Sequence, residues 1–424
     1  MLLLIGTFIS LLLLKVPVAF TLLISSIVYM LANNLPLELV AQRMLAGPDS
    51  FPLMAVPFFI LAGNIMNYAG VTHRIFFFAN KLVGHLTGGL GHATVLACMI
   101  VAGMSGTAIA EAGGLGVIVL KAMKEAGYEE DFSVGVMASA SLIGPIIPPS
   151  VPMVIFGAIA GVSIGKLFIA GVVPGFLMGG AISTMIYFKC RGNTKLIRAR
   201  TTFPEFWRAF KDAFLSLFTV VIILGGMIGG IFTPTEAAVV ATVYGLILGL
   251  WYKAFALKDI PKMLTETSQV MVSVLFIVSA ASLFGWVLTV SQVGALVTDF
   301  FTSFFTDKYM VLIAINLLLL VVGCFMETIA AISIFTPILM PVVMSFGIDP
   351  VHFGLLMVLN LMIGLLTPPV GMVLYVLSSV TKIPFERIAR VCTPYIIVLI
   401  FLLYVITFVP ELATWLPNLA FADR

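Results

Sequence analysis

Two short segments of small and oxygen-bearing residues could bind a ligand, and each is followed by a pair of adjacent prolines. Residues 105–107 (Ser-Gly-Thr) precede residues 148–149, and residues 326–328 (Met-Glu-Thr) precede residues 368–369. Hydroxyl, carboxyl and free main-chain carbonyl oxygens are the ligands that hard cations prefer, with no thiolate or imidazole required. The sequence therefore predicts two cation sites of similar design.

Each pair of prolines interrupts an apolar segment. Proline has no N–H and its ring clashes with the preceding turn, so a helix breaks at this point. In lipid, an interrupted backbone is tolerated only where it is buried in protein or lines a polar cavity. We therefore expect the breaks at residues 144–150 and 364–368 to present unpaired carbonyls to the two segments. The alternative is that both breaks are kinks packed by small residues.

Two acidic residues inside apolar stretches are further candidates. Glu111 and Glu327 would be costly to place in lipid, which makes an ionisable group at membrane depth a functional hypothesis. For Glu111 the alternative is a position beside an aqueous vestibule. Glu327 could instead face water or satisfy a helix N-terminus.

The composition indicates a membrane protein. Of 424 residues, 61% are hydrophobic and 10% are charged, whereas soluble domains carry about 25% charged residues. Apolar runs of about 20 residues, each long enough to cross a ~30 Å hydrocarbon core, recur along the chain. We expect about ten or eleven spans and two shorter helical hairpins, with residues 1–30 as a retained first span instead of a signal peptide.

The two halves of the chain match at one spacing. Gly144 and Pro148 recur as Gly364 and Pro368, 220 positions later (364 − 144 = 220), and residues 103–107 align at the same spacing with residues 323–327 (Gly-Cys-Phe-Met-Glu), where only the first glycine is shared. Paired interruptions at matching places in two halves are the best sequence indication of a transporter's binding site.

Basic residues give the two halves opposite orientations. Lys121 and Lys124 precede the first break, whereas Lys382, Arg387 and Arg390 follow the second. Because Lys and Arg concentrate in cytoplasmic loops, equivalent connections lie on opposite membrane faces. The sequence therefore predicts an inverted-topology repeat.

We divide the chain into a first repeat over residues 1–188, a basic connector over residues 189–212 and a second repeat over residues 213–424. Seven Lys or Arg residues in the connector assign it to the cytoplasm. A short surface helix is expected around residues 203–210. Residues 233–236 (Thr-Pro-Thr-Glu) are typical of a capped helix start.

Other kinds of chemistry are not indicated. The four cysteines and four histidines are scattered, without the spacing of a metal site. Residues 161–167 lack the spacing of a phosphate-binding loop, and no nucleophile elbow is present, so neither an ATP-driven pump nor an enzyme is expected. A net charge of +3, without a basic run interleaved with aromatic residues, does not favour nucleic acid as a partner.

Over nearly its whole length the chain resembles the large membrane subunit of tripartite ATP-independent periplasmic (TRAP) transporters. The motifs that carry this resemblance are residues 57–64 (Pro-Phe-Phe-Ile-Leu-Ala-Gly-Asn), 105–107 (Ser-Gly-Thr), 144–149 (Gly-Pro-Ile-Ile-Pro-Pro), 232–237 (Phe-Thr-Pro-Thr-Glu-Ala), 347–354 (Gly-Ile-Asp-Pro-Val-His-Phe-Gly) and 367–371 (Thr-Pro-Pro-Val-Gly). Together they are specific, although any one alone would be weak.

The resemblance implies an all-α polytopic membrane protein of the ion-transporter-superfamily type. In such proteins a scaffold holds a mobile transport domain, which is built from two re-entrant hairpins and two Pro-Pro-broken helices and moves as an elevator. Two or more sodium ions would lie at the hairpin tips. Carried onto this chain, the sodium ligands are Ser105, Gly106, Thr107, Gly144, Pro148, Met326, Glu327, Thr328, Gly364 and Thr367. The expected substrate ligands are Ser105, Thr107, Ser150, Glu327, Thr328 and Thr367.

The resemblance also implies partners and a location. A small four-helix membrane subunit and a periplasmic substrate-binding protein would work with this chain in the bacterial inner membrane. Together they would import an organic acid anion, either sialic acid or a C4-dicarboxylate, driven by a sodium gradient. Because the chain begins in its first large-subunit span, the small subunit is expected to be a separate polypeptide. Two alternatives stay open, namely a stand-alone sodium/dicarboxylate symporter and a channel or scaffolding membrane subunit.

Overall fold

The computed structural model describes residues 2–192 and 200–421, apart from the side chains of Leu2 and Ser105. The regular secondary structure of this part of the chain consists of helices, without a β-strand, which confirms the all-α prediction. The helices of the first half are α1 (Leu2–Leu13), α2 (Val18–Ala32), α3 (Glu38–Ala46), α4 (Ala55–Tyr68), α5 (Val71–Val83), α6 (Gly89–Ser105), α7 (Ala108–Glu125), α8 (Glu130–Ser141), α9 (Val151–Ala160) and α10 (Ile164–Cys190).

The second half follows a similar order. Its helices are α11 (Phe203–Ile228), α12 (Pro234–Trp251), α13 (Ile260–Val290), α14 (Val293–Phe304), α15 (Lys308–Phe325), α16 (Thr328–Ser345), α17 (Pro350–Gly364), α18 (Met372–Thr381), α19 (Phe385–Phe408) and α20 (Glu411–Ala420). Short 3-10 turns at Phe51–Met54 and Leu257–Asp259 precede α4 and α13.

Eight helical segments in the described part of the chain are long and apolar enough to cross a membrane. They are Phe51–Tyr68, Ile164–Cys190, Phe203–Ile228, Pro234–Trp251, Leu257–Val290, Lys308–Phe325, Thr328–Ser345 and Phe385–Phe408. Seven further apolar helices are shorter, and three of them, Val151–Ala160, Pro350–Gly364 and Met372–Thr381, flank the Pro-Pro breaks. The expected ten or eleven full-length spans exceed these eight because the chain divides several apolar stretches into shorter helices.

The internal repeat is visible in the helix boundaries. Helix α7 begins at Ala108 and ends at Glu125, and α16 begins at Thr328 and ends at Ser345, so both ends are displaced by 220 positions. The packing repeats as well. Helix α2 packs on α13, and the helices 220 positions away from these two, α12 and α4 respectively, also pack on each other. The orientation of the two halves in the bilayer stays a prediction.

The start of α12 has the predicted cap. The Thr233 hydroxyl accepts a hydrogen bond from the Glu236 N–H (3.3 Å), and the Glu236 carboxylate accepts one from the Thr233 N–H (2.7 Å). Each group thus satisfies a main-chain donor that the first turn of a helix leaves unpaired.

The start of α11 differs from the expectation. The expected short surface helix at residues 203–210 is the first part of one continuous helix, Phe203–Ile228. Ion pairs from Arg74 to Asp212 and from Lys81 to Glu205 (3.2 Å) join this first part to α5. Residues 193–199 of the basic connector lie outside the described residues.

Candidate functional site

The first hairpin tip lies directly against the first break. Gly106 and Thr107 join α6 to α7, and Gly106 has a φ of +60°, in the left-handed region that favours glycine. A Cβ on Gly106 would lie 2.8 Å from the Pro149 carbonyl oxygen and 3.3 Å from the Val151 nitrogen. Glycine is therefore required here for both its backbone conformation and its close approach, and the tip faces a main-chain carbonyl as predicted.

The first break is a buried, non-helical segment. Helix α8 ends at Ser141 and α9 begins at Val151, and the residues between them, which include Gly144 and Pro148, are all buried. The Pro148–Pro149 peptide bond is cis. Ser150 is buried and caps α9, since its hydroxyl accepts a hydrogen bond from the Met153 N–H (3.2 Å). Its hydroxyl therefore already has a structural role.

At the second tip, the predicted acid Glu327 caps helix α16. Glu327 precedes α16, and its carboxylate accepts hydrogen bonds from the Ile329 N–H (2.9 Å) and the Ala330 N–H (3.2 Å). This confirms the alternative that Glu327 satisfies a helix N-terminus. Met326, the residue before it, is buried.

The second tip meets the second break through residues one turn earlier than expected. The Val370 N–H in the break donates to the Cys324 carbonyl of α15 (3.1 Å). A Cβ on Gly364 would lie 2.5 Å from the Gly323 carbonyl carbon, so the two backbones are in direct contact. Sequence reasoning had placed Gly323 and Cys324 in the repeat without giving them a role at the site.

The threonines of the two sites have different surroundings. Thr107 stands at the N-cap of α7 without a capping side-chain hydrogen bond, and it is half-buried. Thr328 is 3% exposed, and its hydroxyl has no hydrogen-bond partner among the described residues. Thr367 is half-buried, and its hydroxyl donates to the Ile363 carbonyl (2.9 Å), which leaves the oxygen as an acceptor. The side chain of Ser105 lies outside the described part.

Glu111 lies at the first break. It is 1% exposed, so it does not border an aqueous vestibule, and a Cβ on Gly144 would overlap its carboxylate. Its carboxyl group also interacts with the Cys98 thiol on α6. Glu111 therefore joins both arms of the first hairpin to the first break.

The donor atoms at both tips suit a hard monovalent cation. No cluster of three or more His, Cys, Asp or Glu residues that could hold a metal occurs in residues 2–192 and 200–421. The tips and breaks supply carbonyl and hydroxyl oxygens, and unwound backbone carbonyls coordinate sodium in other membrane transporters. The described residues at the tips and breaks therefore offer oxygen donors of the kind that sodium prefers, and sodium binding there stays a prediction.

A polar cleft lies beside the first tip, between α4, α7 and α13. Its volume is about 210 Å³, and its lining residues are Ile60, Gly63, Asn64, Asn67, Thr107, Ala110, Glu266, Thr267 and Val270. We call this feature the polar cleft. Sequence reasoning gave no role to Asn67, Glu266 or Thr267, and Asn64 entered only as the end of a motif. The available signal was a pair of amides, Asn64 and Asn67, one turn apart in an apolar helix.

Hydrogen bonds hold the polar side chains of the cleft in place. The Asn64 amide donates to the Thr267 hydroxyl (3.1 Å), which joins α4 to α13. The Tyr68 hydroxyl donates to the Glu266 carboxylate (2.9 and 3.0 Å to its two oxygens). The cleft is thus an ordered polar surface that includes Thr107 of the first tip.

An all-helical membrane protein with an internal repeat, in which two helix–helix tips meet two interrupted helices, has the layout of a secondary transporter. Comparison with known proteins makes the class specific. Residues 5–412 match the family described as "Tripartite ATP-independent periplasmic transporter, DctM component". The chain belongs to this family, and it is therefore a transport permease, not an enzyme, and a multi-pass protein of the bacterial inner membrane.

Relatives with high identity cover nearly the whole chain. The sialic acid TRAP transporter large permease protein SiaM of Vibrio cholerae is 44% identical over 405 residues, which is 95% of each chain. The C4-dicarboxylate TRAP transporter large permease protein DctM of Pseudomonas aeruginosa is 40% identical over 379 residues, 89% of each chain.

A solved structure has the same fold. The YdaH transporter of Alcanivorax borkumensis matches with a TM-score of 0.64 and 15% identity, and the match covers 88% of each chain. At this identity the likeness concerns the fold alone.

Proposed function

We propose that this chain carries out sodium-coupled import of an organic acid anion, as the transport subunit of a three-component complex. Its partners are a small four-helix membrane subunit and a periplasmic substrate-binding protein. Family membership supports the complex, and the names of the relatives support sialic acid or a C4-dicarboxylate as substrate. The observation that carries the proposal is the duplicated contact between a hairpin tip and a Pro-Pro break.

The two tip–break pairs would hold the coupling ions. At the first pair, Thr107 offers a hydroxyl oxygen and the break offers the Pro149 carbonyl close to Gly106. At the second pair, the hydroxyl oxygens of Thr328 and Thr367 are available as acceptors. The sodium gradient supplies the driving force, and the residues of this chain supply the difference in affinity between its conformations on which coupling depends.

We further propose that α6–α7 and α15–α16 are re-entrant hairpins of a mobile domain that moves as an elevator. Each tip brings two helix ends and a break together, as expected where a non-helical backbone lines a binding site at membrane depth. The hairpin arms have 17 or 18 residues, slightly fewer than the ~20 of a typical crossing.

Transport by the reconstituted complex tests the proposal. Uptake of radiolabelled N-acetylneuraminate or succinate is measured in proteoliposomes under an inward sodium or potassium gradient, with the small subunit and the binding protein added or omitted. We expect concentrative uptake only with all components and sodium. Uptake by this chain alone would identify a stand-alone symporter, and conductance without concentrative uptake would identify a channel.

A substitution links the ion requirement to the tips. Thr367→Ala removes a hydroxyl oxygen at the second break and should raise the sodium concentration that gives half-maximal uptake. An unchanged sodium dependence would remove Thr367 from the ion site, and sodium-independent uptake by the unmodified complex would overturn the coupling proposal itself.

A further inference from the structure

One wall of the polar cleft has a counterpart in the other half of the molecule that lacks its chemistry. Glu266 and Thr267 on α13 line the polar cleft, and 220 positions earlier Ala46 and Gly47 line a second cleft of about 290 Å³. Both clefts border a hairpin helix, α7 in the first case and α16 in the second. None of the residues that line the second cleft is ionisable. Since Ala46 and Gly47 complete the equivalent wall without a charge or a hydroxyl, packing does not explain why Glu266 and Thr267 occupy these positions.

One group of side chains in the polar cleft offers hydrogen-bond donors. The Asn67 carbonyl oxygen accepts a hydrogen bond from the Thr72 hydroxyl (2.6 Å), so the amide NH₂ is the part of Asn67 that remains for a ligand. The Thr107 hydroxyl, which makes no capping bond, is a second donor and belongs to the first candidate ion site. Donors next to a cation site suit a carboxylate.

Another group offers an acceptor that carries negative charge. The Glu266 carboxylate is held by the Tyr68 hydroxyl, and the Lys262 ammonium is 4.0 Å away but does not line the cleft. A carboxylate accepts hydrogen bonds from hydroxyl and amide groups but repels a second carboxylate, because like charges in a partly desolvated site interact strongly. Glu266 therefore favours a ligand whose remote end is uncharged and rich in donors.

The space is suited to a small organic molecule. A volume of about 210 Å³ is several times the ~30 Å³ that one water molecule occupies in the liquid. The Asn64–Thr267 bond fixes the wall between α4 and α13, so the polar groups are arranged before a ligand enters.

We propose that the polar cleft binds the hydroxyl- or amide-bearing part of the substrate while its carboxylate lies at the Thr107 tip. Glu266 then selects polyhydroxylated monocarboxylates, such as acidic sugars, against dicarboxylates. This inference rests on the proposed function and decides between its two substrate classes. Asn67 and Glu266 are the specificity-determining residues.

Ligand binding without the periplasmic protein tests this selection directly. The purified complex of this chain and its small subunit, in sodium, is incubated with radiolabelled N-acetylneuraminate and competed with unlabelled N-acetylneuraminate or succinate. We expect N-acetylneuraminate to compete at a concentration at least about tenfold lower than succinate. Glu266→Gln keeps the size of the side chain and should reduce this preference about tenfold, because the repulsion of the second carboxylate is lost.

Two further variants separate selection from folding. Asn67→Asp replaces donors with a carboxylate and should raise the N-acetylneuraminate concentration needed for competition by about tenfold, while sodium still stabilises the protein against heat. Glu38→Gln removes the same charge as Glu266→Gln from an exposed position on α3 and should leave the preference unchanged.

The outcomes distinguish this inference from the proposed function. A preference for succinate in the unmodified complex, no binding of either acid by a complex that transports, or an unchanged preference in Glu266→Gln would overturn the selection by the cleft and leave sodium-coupled import standing. Sodium-independent uptake in proteoliposomes would instead refute the proposed function, whatever the binding preference.

Discussion

Replacing Gly364 with alanine should weaken the second ion site. Gly364 is the last residue of α17, and its backbone lies against Gly323 of α15. A methyl group would stand 2.5 Å from the Gly323 carbonyl carbon, 2.6 Å from its Cα and 2.7 Å from its oxygen. All three atoms are main-chain atoms, so no side chain can rotate away to make room.

The size of the effect follows from these distances. Ordinary contact begins at 3.4 Å, so α15 and the break must separate by about 0.7 to 0.9 Å (3.4 − 2.7 and 3.4 − 2.5). The hydrogen bond from the Val370 N–H to the Cys324 carbonyl, now 3.1 Å, spans the same contact and should be lost. Overpacking of this kind typically costs about 1–3 kcal/mol. Because metal–ligand distances in well-formed sites stay within about 0.2 Å of their standard values, we expect the sodium concentration for half-maximal uptake to rise about tenfold or more.

The measurement compares Gly364→Ala with Gly180→Ala. Gly180 lies within α10, and nothing is within 4 Å of the position its Cβ would take, so this substitution changes helix propensity without crowding. Sodium-dependent uptake and thermal unfolding are recorded for both variants. If Gly364→Ala matched Gly180→Ala in both measurements, the close contact between the second hairpin and its break would not support the ion site, and the reasoning would be refuted.

Three other substitutions test separate parts of the structure. Thr107→Val removes the hydroxyl at the first tip that makes no capping hydrogen bond, and it should raise the sodium concentration for half-maximal uptake about tenfold. An unchanged sodium dependence would exclude this hydroxyl as an ion ligand. Thr233→Ala removes the cap of α12 and should lower stability by about 0.5–2 kcal/mol in thermal unfolding, with uptake per folded molecule unchanged; a specific loss of uptake would contradict a purely structural role. Asn360→Ala removes the amide that donates to the main-chain and side-chain oxygens of Asn316 (2.9 and 3.1 Å), and it should lower the free energy of unfolding by about 1–3 kcal/mol. The double variant with Asn316→Leu should recover part of that stability. Additive losses in this double-mutant cycle would show that the two amides are not coupled.

Local rules of chain geometry made several features predictable. Two adjacent prolines cannot continue a helix, so the breaks before α9 and α18 could be located without any tertiary information. The capped start of α12 was predictable for the same reason, since Thr233 and Glu236 satisfy main-chain donors within one turn. The spacing of 220 then identified the repeat, because both halves carry the same interruptions.

Other features depend on contacts between distant segments. The beginning of α11 reads as a polar surface helix followed by a span, yet the structure has one helix, whose first part is joined to α5 by Arg74 and Lys81. The sequence did not indicate which residues surround Glu111, because its neighbours Cys98 and Gly144 come from another helix and from the break. Hydropathy measures the average environment of a segment and does not report which side chains meet.

The repeat, the helical class and the two interrupted segments follow from this sequence alone, because proline chemistry and hydrophobic length act over a few residues at a time. The polar cleft does not, since its walls come from residues 60–67, 107–110 and 266–270, which only folding brings together. Only the folded structure shows that Glu266 and its counterpart Ala46 each line a cleft beside a hairpin helix, so that the difference between them changes the charge of a cleft.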